Sequence, residues 1–106
     1  MFSQRASYKP TRNLRVRPVP EMRMCFVFTP SAPKLYTLNM SAWLVLTLCD
    51  GRSGRDLVDA YATEMAAHLP RDDALREVRA AIGDLEGKGM IVRADKRARA
   101  QQKGSH

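Results

Sequence analysis

Met22, Met24, Phe26 and Phe28 recur at every second position with Arg23, Cys25 and Val27 between them, the period of a β-strand. The pattern predicts a central strand whose buried face carries the methionines and phenylalanines. Just before it, Leu14 and Val16 alternate with Arg15 and Arg17 until Pro18 and Pro20 close the run, which reads as a first strand. Residues 30–33 (Pro-Ser-Ala-Pro) form a turn, and Lys34 to Leu38 make a third, short strand. Short connections of this kind give an antiparallel meander with the third strand on an edge.

At Asn39 the period changes from two to that of a helix. Asn39 or Ser41 can cap a first helix through Ala42–Leu48, apolar nearly all round and therefore expected to be buried, Trp43 included. Asp50-Gly51 stops it with a tight turn. Ser53-x-x-Asp56 reads as a capping box for a second helix with Leu57, Val58, Tyr61, Ala62, Met65, Ala66 and Leu69 on one side, ended by Pro70. A third helix opens at Asp72 or Asp73, carries Leu75, Val78, Ile82 and Leu85 on its apolar side, and stops at Gly87 or Gly89. Met90 to Arg93 is long enough only for a wing-like strand. The fold class that follows is α+β, a winged helix-turn-helix in which a three-stranded antiparallel sheet precedes three helices.

Charge refines the boundaries. The 106 residues carry a net +7. Residues 1–23 hold six basic and one acidic residue and residues 93–106 five and one, while the body between them holds seven against nine. The basicity therefore sits at the two ends. Residues 1–13, without a period, are expected to be a basic flexible arm, residues 14–93 the folded domain, and residues 94–106 a basic disordered tail. No apolar run is long enough to span a bilayer, and no apolar run follows the early basic residues, so the expected location is the cytoplasm. Two cysteines in unlike contexts read as reduced thiols, with Cys49 packing as a small apolar residue.

Catalytic signatures are missing. Cys25, Cys49 and His68 have no metal-finger spacing, and there is no phosphate loop, nucleophile elbow or paired carboxylate. The expectation is no enzyme, no cofactor, no metal, no membrane partner and no specific nucleic acid.

Leu38-Asn39, the apolar run Trp43–Leu48, Leu48-Cys49-Asp50-Gly51, Ser53 at a helix start and Leu85-x-x-x-Gly89 before Met90-Ile91 resemble, in order and spacing, the PqqD-like family of leader-peptide recognition elements. Gly54 departs from that pattern, which usually has an apolar residue there. The resemblance implies a non-catalytic adaptor, a peptide chaperone of natural-product biosynthesis. Such a module captures the leader region of a ribosomally made precursor peptide by strand addition and presents it to a modifying enzyme such as a radical-chemistry enzyme or cyclase. The implied edge is Lys34, Leu35, Tyr36, Thr37 and Leu38, with the third helix forming the other wall. From that helix Leu75 and Ile82 belong to the apolar wall, first of all as core. Arg76, Arg79 and Gly83 flank them as ligand-facing positions, the arginines suiting the acidic leaders of such families. A solvated helix face is the plainer reading of the two arginines.

The alternative is a winged-helix DNA-binding transcriptional regulator. Between Asp72 and Lys88 five acidic residues face three basic ones, a poor balance for a major-groove helix. A subunit-interaction domain of a larger enzyme is the third reading.

Overall fold

The computed structural model describes residues 2–30, 33–65 and 69–94. Among these residues five strands and three α-helices follow one another as β1 (Ser7–Pro10), β2 (Arg15–Val19), β3 (Met24–Thr29), β4 (Lys34–Asn39), α1 (Met40–Leu48), α2 (Gly54–Glu64), α3 (Arg71–Gly87) and β5 (Ile91–Ala94). The expected meander is present as an antiparallel sheet ordered β2-β3-β4, followed by three helices. Ala66, His68, the 31–32 turn residues, the tail from residue 95 and His106 lie outside the described residues.

Caps set the helix boundaries. The Asn39 side chain accepts from the Ala42 amide at 2.8 Å, and Ser53 Oγ accepts from the Asp56 amide at 3.1 Å. Helix α3 starts one residue before the expected aspartates, at Arg71 after Pro70, with no side-chain cap. It ends in a Schellman pair: Met90 N–H donates to Leu85 C=O at 2.9 Å and Gly89 N–H to Glu86 C=O at 3.0 Å. That closure needs the left-handed backbone of Gly89 (φ 75°), which glycine adopts without a Cβ clash.

Three expectations are corrected: the buried face of β3, the all-round burial of α1, and the arm at residues 1–13. The buried face of β3 is Cys25, Val27 and Thr29, while Met24, Phe26 and Phe28 turn outward and are half-exposed. The core lies behind the smaller side chains because β4 contributes Leu38, opposite Cys25, and α1 contributes Val45 and Leu46. On α1 only those two residues are buried, and Trp43 is half-exposed at the core margin.

The third correction concerns residues 1–13, expected to be a flexible arm. Ser7–Pro10 pair antiparallel with β5, so the C-terminal strand finds its partner at the N-terminus. Tyr8 is fully buried, with Phe2 stacked on its ring at 5.7 Å between centroids. Ala6 C=O accepts from Gly54 N–H at 2.8 Å and Gln4 C=O from Arg55 N–H at 3.0 Å. These carbonyls satisfy amides that the first turn of α2 otherwise leaves unpaired. The crossing also explains Gly54. A Cβ there would lie 2.2 Å from the Ser3 carbonyl oxygen and 2.9 Å from the Phe2 ring.

Both cysteines are buried and free. Burial pushes the Cys49 thiol up to about 12, so it stays protonated and packs as the small apolar residue expected. No helix among the described residues is long and apolar enough to cross a membrane.

Candidate peptide-binding edge

Strand β4 is an edge, and the direction of its free backbone groups follows from β2. Opposite residues of antiparallel strands alternate between pairs that exchange N–H···O=C bonds and pairs that do not. Pro18 stands opposite Cys25 and has no N–H to exchange, so Cys25 turns its backbone groups toward Leu38 on β4. Leu38, Tyr36 and Lys34 therefore bond inward to β3, and Leu35 and Thr37 present their N–H and C=O outward. The Thr29 hydroxyl donates to Lys34 C=O at 3.3 Å, placing that carbonyl on the β3 side as the alternation requires. On the opposite edge Pro18 interrupts the outward donors of β2. The sheet thus has one guarded edge and one open edge.

Facing β4 across a gap is α3. At its C-terminal end the Lys88 ammonium lies 5.4 Å from the centre of the Tyr36 ring, and Lys34 lies 5.2 Å from the same ring. Lys88 is itself held by Asp84 at 2.9 Å. Where β4 passes into α1 the gap opens into a cleft of about 310 Å³, bordered by Asn39, Ser41 and Ala42 on one side and by Glu77, Ala80, Ala81 and Asp84 on the other. Tyr61 forms part of the lining. Its hydroxyl donates to Glu77 Oε1 at 2.7 Å, and burial together with this bond pushes it up to about 12, so it remains a donor.

Of the residues expected on α3, Ile82 is fully buried and Leu75 packs at the core margin. Arg76, Arg79 and Gly83 are exposed on the side of the helix away from the core, and none of the three borders this cleft. Arg76 pairs with Asp73 at 3.2 Å, the solvated arrangement that contributes little stability. A Cβ added to Gly83 would meet nothing within 4 Å, so no contact inside the domain calls for a glycine there. Gly83→Ala should therefore raise stability by about 1 kcal/mol through helix propensity. Chemical denaturation checks it: a loss of stability would mean that the helix face is not open.

The sequence reading missed Glu77, Ala80, Ala81, Asp84 and Lys88. With Ala74, Val78, Ile82 and Leu85 fixing the core direction, helical spacing sets 77, 81, 84 and 88 on one flank and 75, 79 and 86 on the other. Spacing defines the two flanks. Only the tertiary crossing selects the one beside β4.

Among the described residues no group of three His, Cys, Asp or Glu side chains is placed to hold a metal. The family model for coenzyme PQQ synthesis protein D (PqqD) matches residues 25–91, from the second residue of β3 to the first of β5. The chain belongs to the PqqD family. Its matched span contains β4, α1, α2 and α3, hence both walls of the cleft, and leaves β1 and β2 outside. No curated protein and no solved structure matches the chain.

Proposed function

We propose that this PqqD-family chain is a non-catalytic adaptor that binds the leader region of a ribosomally made precursor peptide and presents it to a modifying enzyme, such as a radical-chemistry enzyme or cyclase, in the cytoplasm. Family membership supports the peptide-binding role. The observation that carries the mode of binding is the open β4 edge, with outward N–H and C=O groups at Leu35 and Thr37 beside a cleft walled by α3. An extended peptide adding there gains main-chain hydrogen bonds irrespective of its sequence, and its alternate side chains enter the gap toward α3. Lys34, Tyr36 and Leu38 hold the strand and its inner face, and Lys88 limits the gap at one end.

The ligand-facing side of α3 in this reading is Glu77, Ala80, Ala81 and Asp84, with Ile82 anchoring the helix in the core and Leu75 packing on its other flank. Arg76, Arg79 and Gly83 are left for contacts with peptide residues beyond the strand. Small side chains at 80 and 81 leave room for apolar anchors of the peptide. The DNA-regulator reading gains no support: α3 carries Asp72, Asp73, Glu77, Asp84 and Glu86 against Arg71, Arg76 and Arg79, a poor surface for phosphates.

A leader segment of a dozen or so residues should bind with a Kd of about 1 μM, since a short edge and two or three anchors must offset the ordering of a disordered peptide. Titration calorimetry measures it. Absence of binding at concentrations about a hundredfold higher would remove the adaptor reading.

A further inference from the structure

We propose that the outer face of the three-stranded sheet is a second docking surface, fitted to an acidic, apolar segment of a partner protein; that this partner is the modifying enzyme rests on the adaptor reading. Cross-strand register builds the face in rows. Arg15, Phe28 and Leu35 stand side by side in one row, Arg17, Phe26 and Thr37 in the next. The core lies on the opposite face, behind Cys25, Val27 and Leu38, and Phe26 and Phe28 take no part in it. Between the rows runs a shallow groove of about 370 Å³, and Leu35 is 63% exposed within it. Isolated exposed apolar residues are ordinary, but an aligned set on a sheet face that no other described element covers marks a contact surface.

Charge selects the occupant. Arg15 and Arg17 rim the groove, no acidic residue among the described ones lines it, and from Arg12 to Asn39 the chain holds five basic residues and one acidic. A second copy of the chain would set arginines against arginines, so self-association through this face is opposed. Single-stranded nucleic acid is also anionic, but base stacking uses exposed ring faces. Here both phenylalanines are half-covered, and the most open apolar side chain in the groove, Leu35, has no π-face. Carboxylates beside leucine or phenylalanine on a protein segment match both the arginines and the aliphatic surface. Because Leu35 belongs to β4, a peptide added to that edge would lengthen the same rows. A partner seated on the face would then touch adaptor and peptide together.

The test uses the full chain and three probes: a synthetic peptide of about twelve residues alternating Glu with Leu and Phe, its Lys-for-Glu counterpart, and an oligothymidylate of about twenty nucleotides. The acidic peptide should shift the ring signals of Phe26 and Phe28 and the methyls of Leu35. Charge reversal by Arg15→Glu with Arg17→Glu, both exposed, should weaken it at least about tenfold by fluorescence anisotropy, and Leu35→Ser at least about fivefold. The amides of Leu35 and Thr37, which strand addition on β4 would protect, should exchange no more than about twofold slower with the acidic peptide bound. The proposal is overturned if the Lys counterpart binds as well, if the oligothymidylate binds the same side chains more tightly, or if neither Arg15→Glu/Arg17→Glu nor Leu35→Ser weakens the acidic peptide. Slower exchange than that at the two amides would also overturn it, by placing the probe on the edge. Failure of the adaptor reading is read separately, as absence of leader-peptide binding with the acidic probe still held by Phe26, Phe28 and Leu35.

Discussion

Tyr36→Pro should unfold or severely destabilise the protein, whereas Thr37→Pro, one residue along the same strand, should leave it folded but weaken its hold on the peptide. The contrast follows from the alternation fixed by Pro18 opposite Cys25 and from the Thr29 bond to Lys34 C=O. Tyr36 bonds inward to Val27 of β3, so proline there removes a ladder donor in the middle of the sheet and also deletes a ring that packs against the core. The expected cost is about 3 kcal/mol or more, a melting temperature lower by at least about 10 °C for a domain of this size. Thr37 points its N–H to solvent, where proline is tolerated, and the cost should stay within about 1 kcal/mol. Peptide affinity should nonetheless fall about fivefold or more through a lost hydrogen bond and an unpaired peptide carbonyl. Melting curves and titrations on both variants decide the matter. Equal behaviour of the two parities would mean that no peptide strand pairs with β4.

Removal of residues 1–10 should be as damaging as a core mutation, although the segment is polar and basic. Tyr8→Ala alone deletes a fully buried ring under Phe2 and is expected to cost about 3–5 kcal/mol. Truncation further exposes the edge of β5 and leaves the Gly54 and Arg55 amides without the Ala6 and Gln4 carbonyls. Set against a total stability of about 5–15 kcal/mol, the truncated chain should lose cooperative melting and near-ultraviolet circular dichroism. Gly54→Val should reproduce much of the defect from the other side of the contact, because its side chain would occupy the position of the Ser3 carbonyl. A chain lacking residues 1–10 that melts within a few degrees of the whole protein would contradict this picture.

Local rules made much of the fold legible. Prolines, the change of period at Asn39 and the Ser53 cap located the meander and the starts of α1 and α2 to within a residue or two, because they act through backbone dihedrals and neighbouring amides. What failed depended on contacts distant in sequence. Period two gives both faces of β3 as candidates, and the larger residues Met24, Phe26 and Phe28 were the natural choice for the core. The helices cover the Cys25–Val27–Thr29 side instead. Tyr8 shows no periodicity within a four-residue strand, and its burial comes from β5 and α2, the β5 partner lying more than eighty residues away. In the candidate site, the edge Lys34–Leu38 was readable from its position after the second turn. The helix wall was not, since the orientation of α3 about its axis relative to β4 arises from packing with α1 and α2.

The central claim is that an incoming peptide pairs with the outward backbone of β4, and hydrogen exchange at single amides tests it most directly. Leu35 and Thr37 should exchange rapidly in the isolated protein because their N–H groups face solvent, while Tyr36 and Leu38 are already protected by β3. On saturation with the leader region of the precursor, Leu35 and Thr37 should slow by about tenfold or more, with little change at Tyr36. Binding that protects amides elsewhere and leaves Leu35 and Thr37 exchanging at their original rates would contradict strand addition on this edge.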